Sequence, residues 1–425
     1  MRFKIHKRNA FVVSLTAFLT LSLVYIMRKN DSSNVNRGNL NKDSGRDSGP
    51  LPYVSTRMSP MNTFQFDTVP NMKKSVYESN FKQFIQNADQ FPADFQLVLV
   101  VQVHNRPAYL KMLVDSLSKV SDVHDLLVIF SHDYFSEEIH SIIQGIRFCK
   151  VLQIYFPFST QLYPNQFPGQ DPQDCPRDIS KEEALRKGCL NAECPDSYGH
   201  YREASFTQTK HHWWWKLHFV WERVRVLQGY SGYIVFMEED NYLLPDFYHC
   251  LKGMAELKKQ DCPDCDILVL GSHDAPGQFE EHSNKMETTG WLSTRHNIGM
   301  AFTKETYYKL MGCNTEFCSY DDYNWDWTIQ HLSGTCISKP LKVLAVQAAR
   351  VLHTGNCGLH QKEACQPDVA LQRVEDVLRS ARQSLFPQKL VLSRQEAAEH
   401  KAHVKNGGWG DIRDHALCKN YGKIL

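Results

Sequence analysis

Tyr233-Ile234-Val235-Phe236-Met237 is a short apolar run, and Glu238-Glu239-Asp240 closes it with consecutive carboxylates. A run of this length, rich in β-branched and aromatic residues, reads as a buried strand. Adjacent acids at its carboxyl end repel one another unless a cation sits among them. A hard divalent cation carrying phosphates would satisfy them. In open α/β sheets, ligands gather at the carboxyl ends of strands. The plain alternative is a strand that runs out into a solvated acidic turn, and the rest of the chain has to decide between the two.

The preceding sequence supplies a frame. Residues 96–103 read as a buried strand, followed by the polar turn His104-Asn105-Arg106-Pro107. Pro107 suits the first turn of a helix, and Tyr109, Leu110, Leu113, Val114, Leu117 and Val120 then recur at helical spacing. Residues 126–130 read as the next strand, ending in Ser131-His132-Asp133, with a helix carrying Ile139, Ile142, Ile143 and Ile146 and a strand over 151–156. The alternation predicts an α/β fold with a parallel sheet of the nucleotide-binding kind. His104, Asn105, Arg106 and Asp133 follow strand ends, where they can hydrogen-bond a base, a ribose or a phosphate. There is no Walker loop and no G-x-G-x-x-G, so a nucleotide held here is not held by a glycine-rich cradle.

Composition narrows the setting. A formal net charge of +1 on 425 residues gives no global field for nucleic acid. The 13 cysteines lie after residue 148, which predicts an oxidising compartment with several disulfides and at least one thiol left over. Arg2, Lys4, Lys7 and Arg8 precede an uncharged run over residues 10–27, closed by Arg28 and Lys29. The run is just long enough to span a thin bilayer, and bulky Tyr25, Ile26 and Met27 replace the small residues of a cleavage site. The expected organisation is a cytosolic tail (1–9), a transmembrane signal anchor (10–27), a polar flexible luminal stem (28–75) and a luminal catalytic domain (76–425). The sequence leaves open whether copies form a homo-oligomer.

Three further stretches carry chemistry. Residues 208–216 begin a helix whose Trp214, Leu217, Val220, Trp221, Val224 and Leu227 form an apolar stripe. Lys210, His211 and His212 fall near its start, where a helix favours anions. Asp321-Asp322-Tyr323-Asn324-Trp325-Asp326-Trp327 interleaves acids with aromatics, which suits a sugar site. A carboxylate between two tryptophans is partly desolvated and more basic. His353, in Val351-Leu352-His353-Thr354-Gly355, follows a strand and with the Asp240 carboxylate would suit Mn2+. Cys175 and Cys189 could pin the irregular loop after residue 157, Cys262 and Cys265 read as a small disulfide, and Cys418 anchors the tail that follows the Asn406-Gly407-Gly408 turn.

Assembled, these residues resemble the N-acetylglucosaminyltransferase II family of Golgi enzymes over residues 77–425. The likeness is carried by Leu99-Val100-Val101-Gln102-Val103-His104-Asn105-Arg106-Pro107, by Val128-Ile129-Phe130-Ser131-His132-Asp133, by residues 208–221, by Glu238-Glu239-Asp240, and by residues 321–327 and 405–414. The resemblance implies a GT-A (Rossmann-like) fold. It implies inverting transfer of N-acetylglucosamine from UDP-N-acetylglucosamine (UDP-GlcNAc) to the 2-hydroxyl of the α1,6-arm mannose of an N-glycan. It places donor contacts at Gln102, Val103, His104, Asn105, Arg106, Asp133, Gln208, Thr209, Lys210, His211 and His212. Mn2+ falls to Asp240 and His353, and the catalytic base to Asp326. The implied disulfides are Cys175–Cys189, Cys262–Cys265, Cys313–Cys336, Cys318–Cys418 and Cys357–Cys365, leaving Cys149, Cys194 and Cys250. Asn241 stands where relatives carry His, and Gly277 where a relative carries an Arg that helps at the substrate site, which implies either weaker donor affinity here or substitution by a neighbouring basic residue such as Lys285. The alternatives are the same fold acting on another mannose acceptor, a non-catalytic Golgi glycan-binding protein, and a hydrolase using Glu238 and Asp326.

Overall fold

The computed structural model describes residues 66–273, 277–358 and 364–424. The expected tail, membrane anchor and all but the end of the stem lie outside them. No helix among the described residues is long and apolar enough to cross a membrane. In chain order the strands are β1 (Ile85–Gln86), β2 (Leu97–Val103), β3 (Leu126–His132), β4 (Lys150–Tyr155), β5 (Ile234–Glu238), β6 (Asn241–Leu243), β7 (Ile267–Val269), β8 (Gly271–Ser272), β9 (Lys285–Gly290), β10 (Met300–Phe302), β11 (Lys342–Val346), β12 (Val351–His353) and β13 (Val391–Gln395). The helices that position the site are α1 (Val69–Lys82), α2 (Pro107–Leu117), α3 (Glu137–Gln144), α4 (Ala204–Arg223), α5 (Phe247–Asp261), α6 (Trp325–Thr335) and α7 (Ile412–Lys419).

Ten strands form one sheet in the order β1-β4-β3-β2-β5-β10-β7-β11-β9-β13, and β6, β12 and β8 form a second, smaller one. The expected parallel arrangement holds for β4, β3, β2 and β5. Beyond β5 the sheet is mixed, because β10 runs antiparallel to both β5 and β7. β10 has three residues, too few for periodicity to reveal a direction. His353 closes β12, which belongs to the second sheet rather than the main one.

One face of the main sheet is covered by α2, α3 and α5, packing Leu110, Leu113, Ile139, Ile143 and Leu251 against Leu99, Val101 and Val128. The other carries α4 and α6, where the Trp213 and Trp325 rings stack at 4.4 Å, and Trp214 stacks on Phe317 at 3.9 Å. The predicted stripe is buried, although Val224 and Leu227 lie past the end of α4, and Lys210, His211, His212 and Lys216 are buried too. The helix begins at Ala204, a turn before the expected start. That carries Lys210, His211 and His212 beyond the first turn, so the argument from a helix N-terminus does not apply to them.

The disulfides are Cys175–Cys189, Cys262–Cys265, Cys313–Cys336, Cys318–Cys418 and Cys357–Cys365, as the resemblance implies. Cys149, Cys194 and Cys250 are free thiols. Cys318–Cys418 spans a sequence separation of 100 and fixes α7 to the body. Long loops restrict the unfolded chain most. Cys418→Ala should therefore lower unfolding free energy by about 2–5 kcal/mol. An unchanged urea midpoint would show that the α7 contacts hold without the bond.

Candidate active site

β2 and β5 lie side by side with Gln102 opposite Glu238, and the backbone N–H of Glu239 donates to the Gln102 carbonyl at 2.9 Å. Past this point the acids diverge. Glu239 is buried and accepts from the His104 backbone N–H and from Arg106 Nε, both at 2.8 Å. It orders the turn after β2. Asp240 Oδ2 lies 2.6 Å from Arg106 Nη1 and 3.3 Å from His353 Nε2. His353 arrives through the β12–β6 register, which sets it opposite Asn241. Thr354 locks that register by donating its N–H and its hydroxyl to the Asp240 carbonyl, at 2.8 and 2.7 Å. At Gly355 a Cβ would fall 2.0 Å from Asp240 Oδ2, so only glycine permits the approach. Asn241, one of the two departures, accepts the Glu238 N–H at 3.1 Å and so closes the acidic turn.

Electrostatics separate these acids further. Burial disfavours charge on Asp240, but Arg106 and His353 outweigh it and bring its pKa down to about 2. Burial, with Asp240 beside it, pushes Glu238 up to about 7. Asp240 Oδ1 is buried with no hydrogen-bond partner, which leaves one carboxylate oxygen uncommitted beside an imidazole. An oxygen–nitrogen donor pair of this kind fits Mn2+. Among the described residues, no group of three His, Cys, Asp or Glu side chains converges as a ligand set.

A polar cluster lies beside this pair, at the ends of β2 and β3. Asp133 Oδ1 is 2.6 Å from His104 Nδ1, and its Oδ2 is 3.1 Å from His212 Nδ1. His212 Nε2 is 2.8 Å from Ser131 Oγ. Burial works against the Asp133 charge, but His104 and His212 hold it well below the ordinary carboxylate value, while Asp133 lifts His104 to about 9. Val103 is buried and its carbonyl receives the Asp133 N–H at 3.2 Å; Asn105 is exposed beside it. Gln208 accepts the Thr160 N–H at 2.6 Å, holding the loop after β4, and Thr209 is half-buried. Two expected donor contacts are committed elsewhere. Lys210 Nζ donates to the carbonyls of Tyr320 and Asp322 at 3.0 and 2.8 Å. His211 bridges Asp414 and the Tyr421 hydroxyl at 2.9 and 2.8 Å.

The acid-aromatic stretch also sorts its members. Asp321 accepts the backbone N–H groups of Ser197 and Trp409 at 2.7 and 3.0 Å. Asp322 is fully buried and accepts those of Asn324 and Asn406 at 2.9 and 3.0 Å. Both are structural. Asp326, in the first turn of α6, keeps part of its surface open. It accepts from Ser293 Oγ at 2.7 Å, from Asn297 Nδ2 at 2.9 Å and from the Trp327 N–H at 3.0 Å. Burial raises its pKa, while Ser293 pulls the other way.

Asp326 and the Asp240–His353 pair have His273 as a common neighbour. The His273 ring lies 5.0 Å from that of His353, interacts with the Asn297 side chain, and feels the charges of both Asp326 and Asp240. Sequence reasoning missed His273, Asn297, Ser293 and Lys216. Lys216 is buried, donates to Gln102 Oε1 at 2.8 Å, and is depressed to about 7 by burial. Helical spacing could have found it, since 208, 212 and 216 share one face of α4. No comparable signal marks Ser293 or Asn297, which lie in and after a four-residue helix.

The buried Asp240 beside the His353 imidazole, the Asp133–His104–His212 cluster and the half-buried Asp326 carboxylate, set around an α/β sheet, are the groups of a glycosyltransferase. A profile of the N-acetylglucosaminyltransferase II family matches residues 73–418. The chain is similar to alpha-1,6-mannosyl-glycoprotein 2-beta-N-acetylglucosaminyltransferase of Sus scrofa, 47% identical over 449 positions with 100% of both chains covered. It is also similar to the protein of that name in Mus musculus, 48% identical with 100% of both covered. The Arabidopsis thaliana protein of the same name is 33% identical over 79% of this chain and 77% of its own. Among solved structures, a mannosyltransferase of Pyrobaculum calidifontis is similar at a TM-score of 0.31 and 10% identity, covering 70% of this chain and 66% of that one. The chain belongs to the N-acetylglucosaminyltransferase II family.

Arg106 is the counter-charge to two buried carboxylates, so Arg106→Ala should cost about 3–5 kcal/mol. Added Mn2+ should recover part of that loss by replacing the guanidinium at Asp240. Denaturation curves with and without the ion test this, and equal curves would place Asp240 away from a cation site.

Proposed function

We propose that the chain is an inverting, Mn2+-dependent glycosyltransferase of GT-A fold. It moves N-acetylglucosamine from UDP-GlcNAc to the 2-hydroxyl of the α1,6-arm mannose of an N-glycan. The observation that carries the reading is that Asp326, His353 and Asp240 share His273 as a neighbour. The family, and relatives named for this reaction across their full length, support the donor and the acceptor. The uncharged run over residues 10–27 and the five disulfides support a single-pass type II protein of the Golgi membrane with its catalytic domain in the lumen.

In this reading Asp133, His104 and the end of β2 bind the uridine, with Lys216 and His212 beneath them. Asp240 and His353 hold Mn2+. When bound, the ion supplies charge neutralisation at the diphosphate and at the departing UDP. Arg106 fixes the Asp240 carboxylate, and Gly355 keeps the approach to it clear. Asp326 takes the proton of the mannose 2-hydroxyl. That oxygen bonds to the anomeric carbon from the face opposite the phosphate, and the bond from carbon to the β-phosphate oxygen breaks, its electron pair leaving with UDP. One displacement inverts the anomeric centre, and Asp326 ends protonated. Ser293 and Asn297 hold the carboxylate oxygen Oδ2, so that the other face of the group meets the acceptor.

Asp326→Asn should lower transfer by about 10²–10⁴-fold while UDP still binds, and EDTA should abolish transfer until Mn2+ is restored. Product formation on a defined N-glycan, paired with UDP calorimetry, tests this; a D326N variant that keeps most of its turnover would displace the base assignment.

The pH dependence has a definite sign. Asp326 works as a base only when ionised, so transfer is present above its pKa and lost as pH falls through it. Burial already raises that pKa, and Ser293 opposes the rise. Ser293→Ala removes a hydrogen bond to a charged oxygen and should shift the acid limb of kcat/KM upward by about one pH unit. An unmoved limb would mean that another group sets it.

A further inference from the structure

We propose that His273 contacts the transferring sugar of the nucleotide donor, an inference that rests on the transferase reading above. The placement of His273 is set by the fold. β8 runs parallel to β12, with Gly271 opposite Val351 and Ser272 opposite Leu352. The next residue on each strand is a histidine, and the two rings stand 5.0 Å apart at 64°. On its other side His273 reaches the Asn297 side chain, whose amide donates to Asp326 at 2.9 Å. His273 therefore spans the interval between the residues that hold the diphosphate end of the donor and the base that serves the acceptor.

In an in-line displacement the reacting carbon lies between the leaving oxygen and the attacking one. The leaving oxygen belongs to the Asp240–His353 side and the attacking oxygen to the Asp326 side. A side chain spanning the two faces the sugar that moves. The character of His273 fits this. His132, His211, His212, His218 and His296 are buried and serve packing or internal hydrogen bonds, whereas His273 is exposed. The Asn297 Oδ1 atom is buried and makes no hydrogen bond of its own, so it can accept one ring N–H from His273. The second ring nitrogen then carries a lone pair, which is an acceptor suited to a pyranose hydroxyl or an amide N–H. Phosphate oxygens offer no hydrogen to such a nitrogen, which separates this role from a diphosphate contact.

The test compares UDP with UDP-GlcNAc in the full-length chain in detergent, with saturating Mn2+. His273→Ala should leave UDP affinity within about twofold and lower UDP-GlcNAc affinity and kcat/KM about tenfold, the effect of one lost hydrogen bond. His273→Gln, which keeps an acceptor, should regain most of that loss. Wild-type UDP-GlcNAc affinity and kcat/KM in H273A would overturn the proposal, and so would an equal loss for UDP, which would assign the ring to the diphosphate. If the wild-type chain binds UDP-GlcNAc no better with Mn2+ than without, the transferase reading itself fails, and the inference built on it goes too.

Discussion

Burying two adjacent carboxylates at a strand end is unfavourable unless a positive group lies between them. Arg106 is that group. Its Nε meets Glu239 at 2.8 Å and its Nη1 meets Asp240 at 2.6 Å, and the guanidinium also donates to the Cys357 carbonyl at 3.2 Å. One side chain thus joins the turn after β2, the turn after β5 and the loop that follows β12. The planar fork matters, because an ammonium could not serve both acids in separate directions. Once Glu239 is spent on this joint, Asp240 is the acid left with an oxygen free for a ligand, and the small sheet built on β6 and β12 delivers His353 to it.

The parts of this arrangement differ in how plainly the sequence shows them. β2, β3, β4 and β5 are long apolar runs, and their parallel pairing follows from the helices between them. The ends of those strands, with His104, Arg106, Asp133 and Asp240, were legible for the same reason. β8, β10 and β12 have two or three residues, below the length at which alternation carries information. The second sheet was therefore invisible, and so was the register that places His273 and His353 together. His353 was legible as a histidine at a strand end, and its pairing with Asp240 followed from donor chemistry and the family resemblance rather than from any visible strand register.

α4 shows a different limit. Lys210 and Lys216 are both buried, and burial depresses both to about 7. A sequence gives no sign that a lysine will be buried, since the usual expectation is solvent. Yet the two do unlike work. Lys216 shares a face with Gln208 and His212 and reaches the end of β2. Lys210 points away, under the Trp409 ring at 4.5 Å, and ties down the loop of Asp321 and Asp322. A contiguous motif on a helix is divided by its 100° rotation per residue, so Gln208 to His212 cannot all face one nucleotide. What acts together on α4 is a face of spaced residues rather than an unbroken run.

The departure at Gly277 has a backbone origin as well as a side-chain one. Its φ of +91° lies where glycine is at ease, and a Cβ there would come within 2.4 Å of the Gln347 carbonyl oxygen. An arginine in this conformation would be strained on both counts. Lys285 is tied to the same neighbour, because its carbonyl accepts the Gln347 N–H at 3.1 Å.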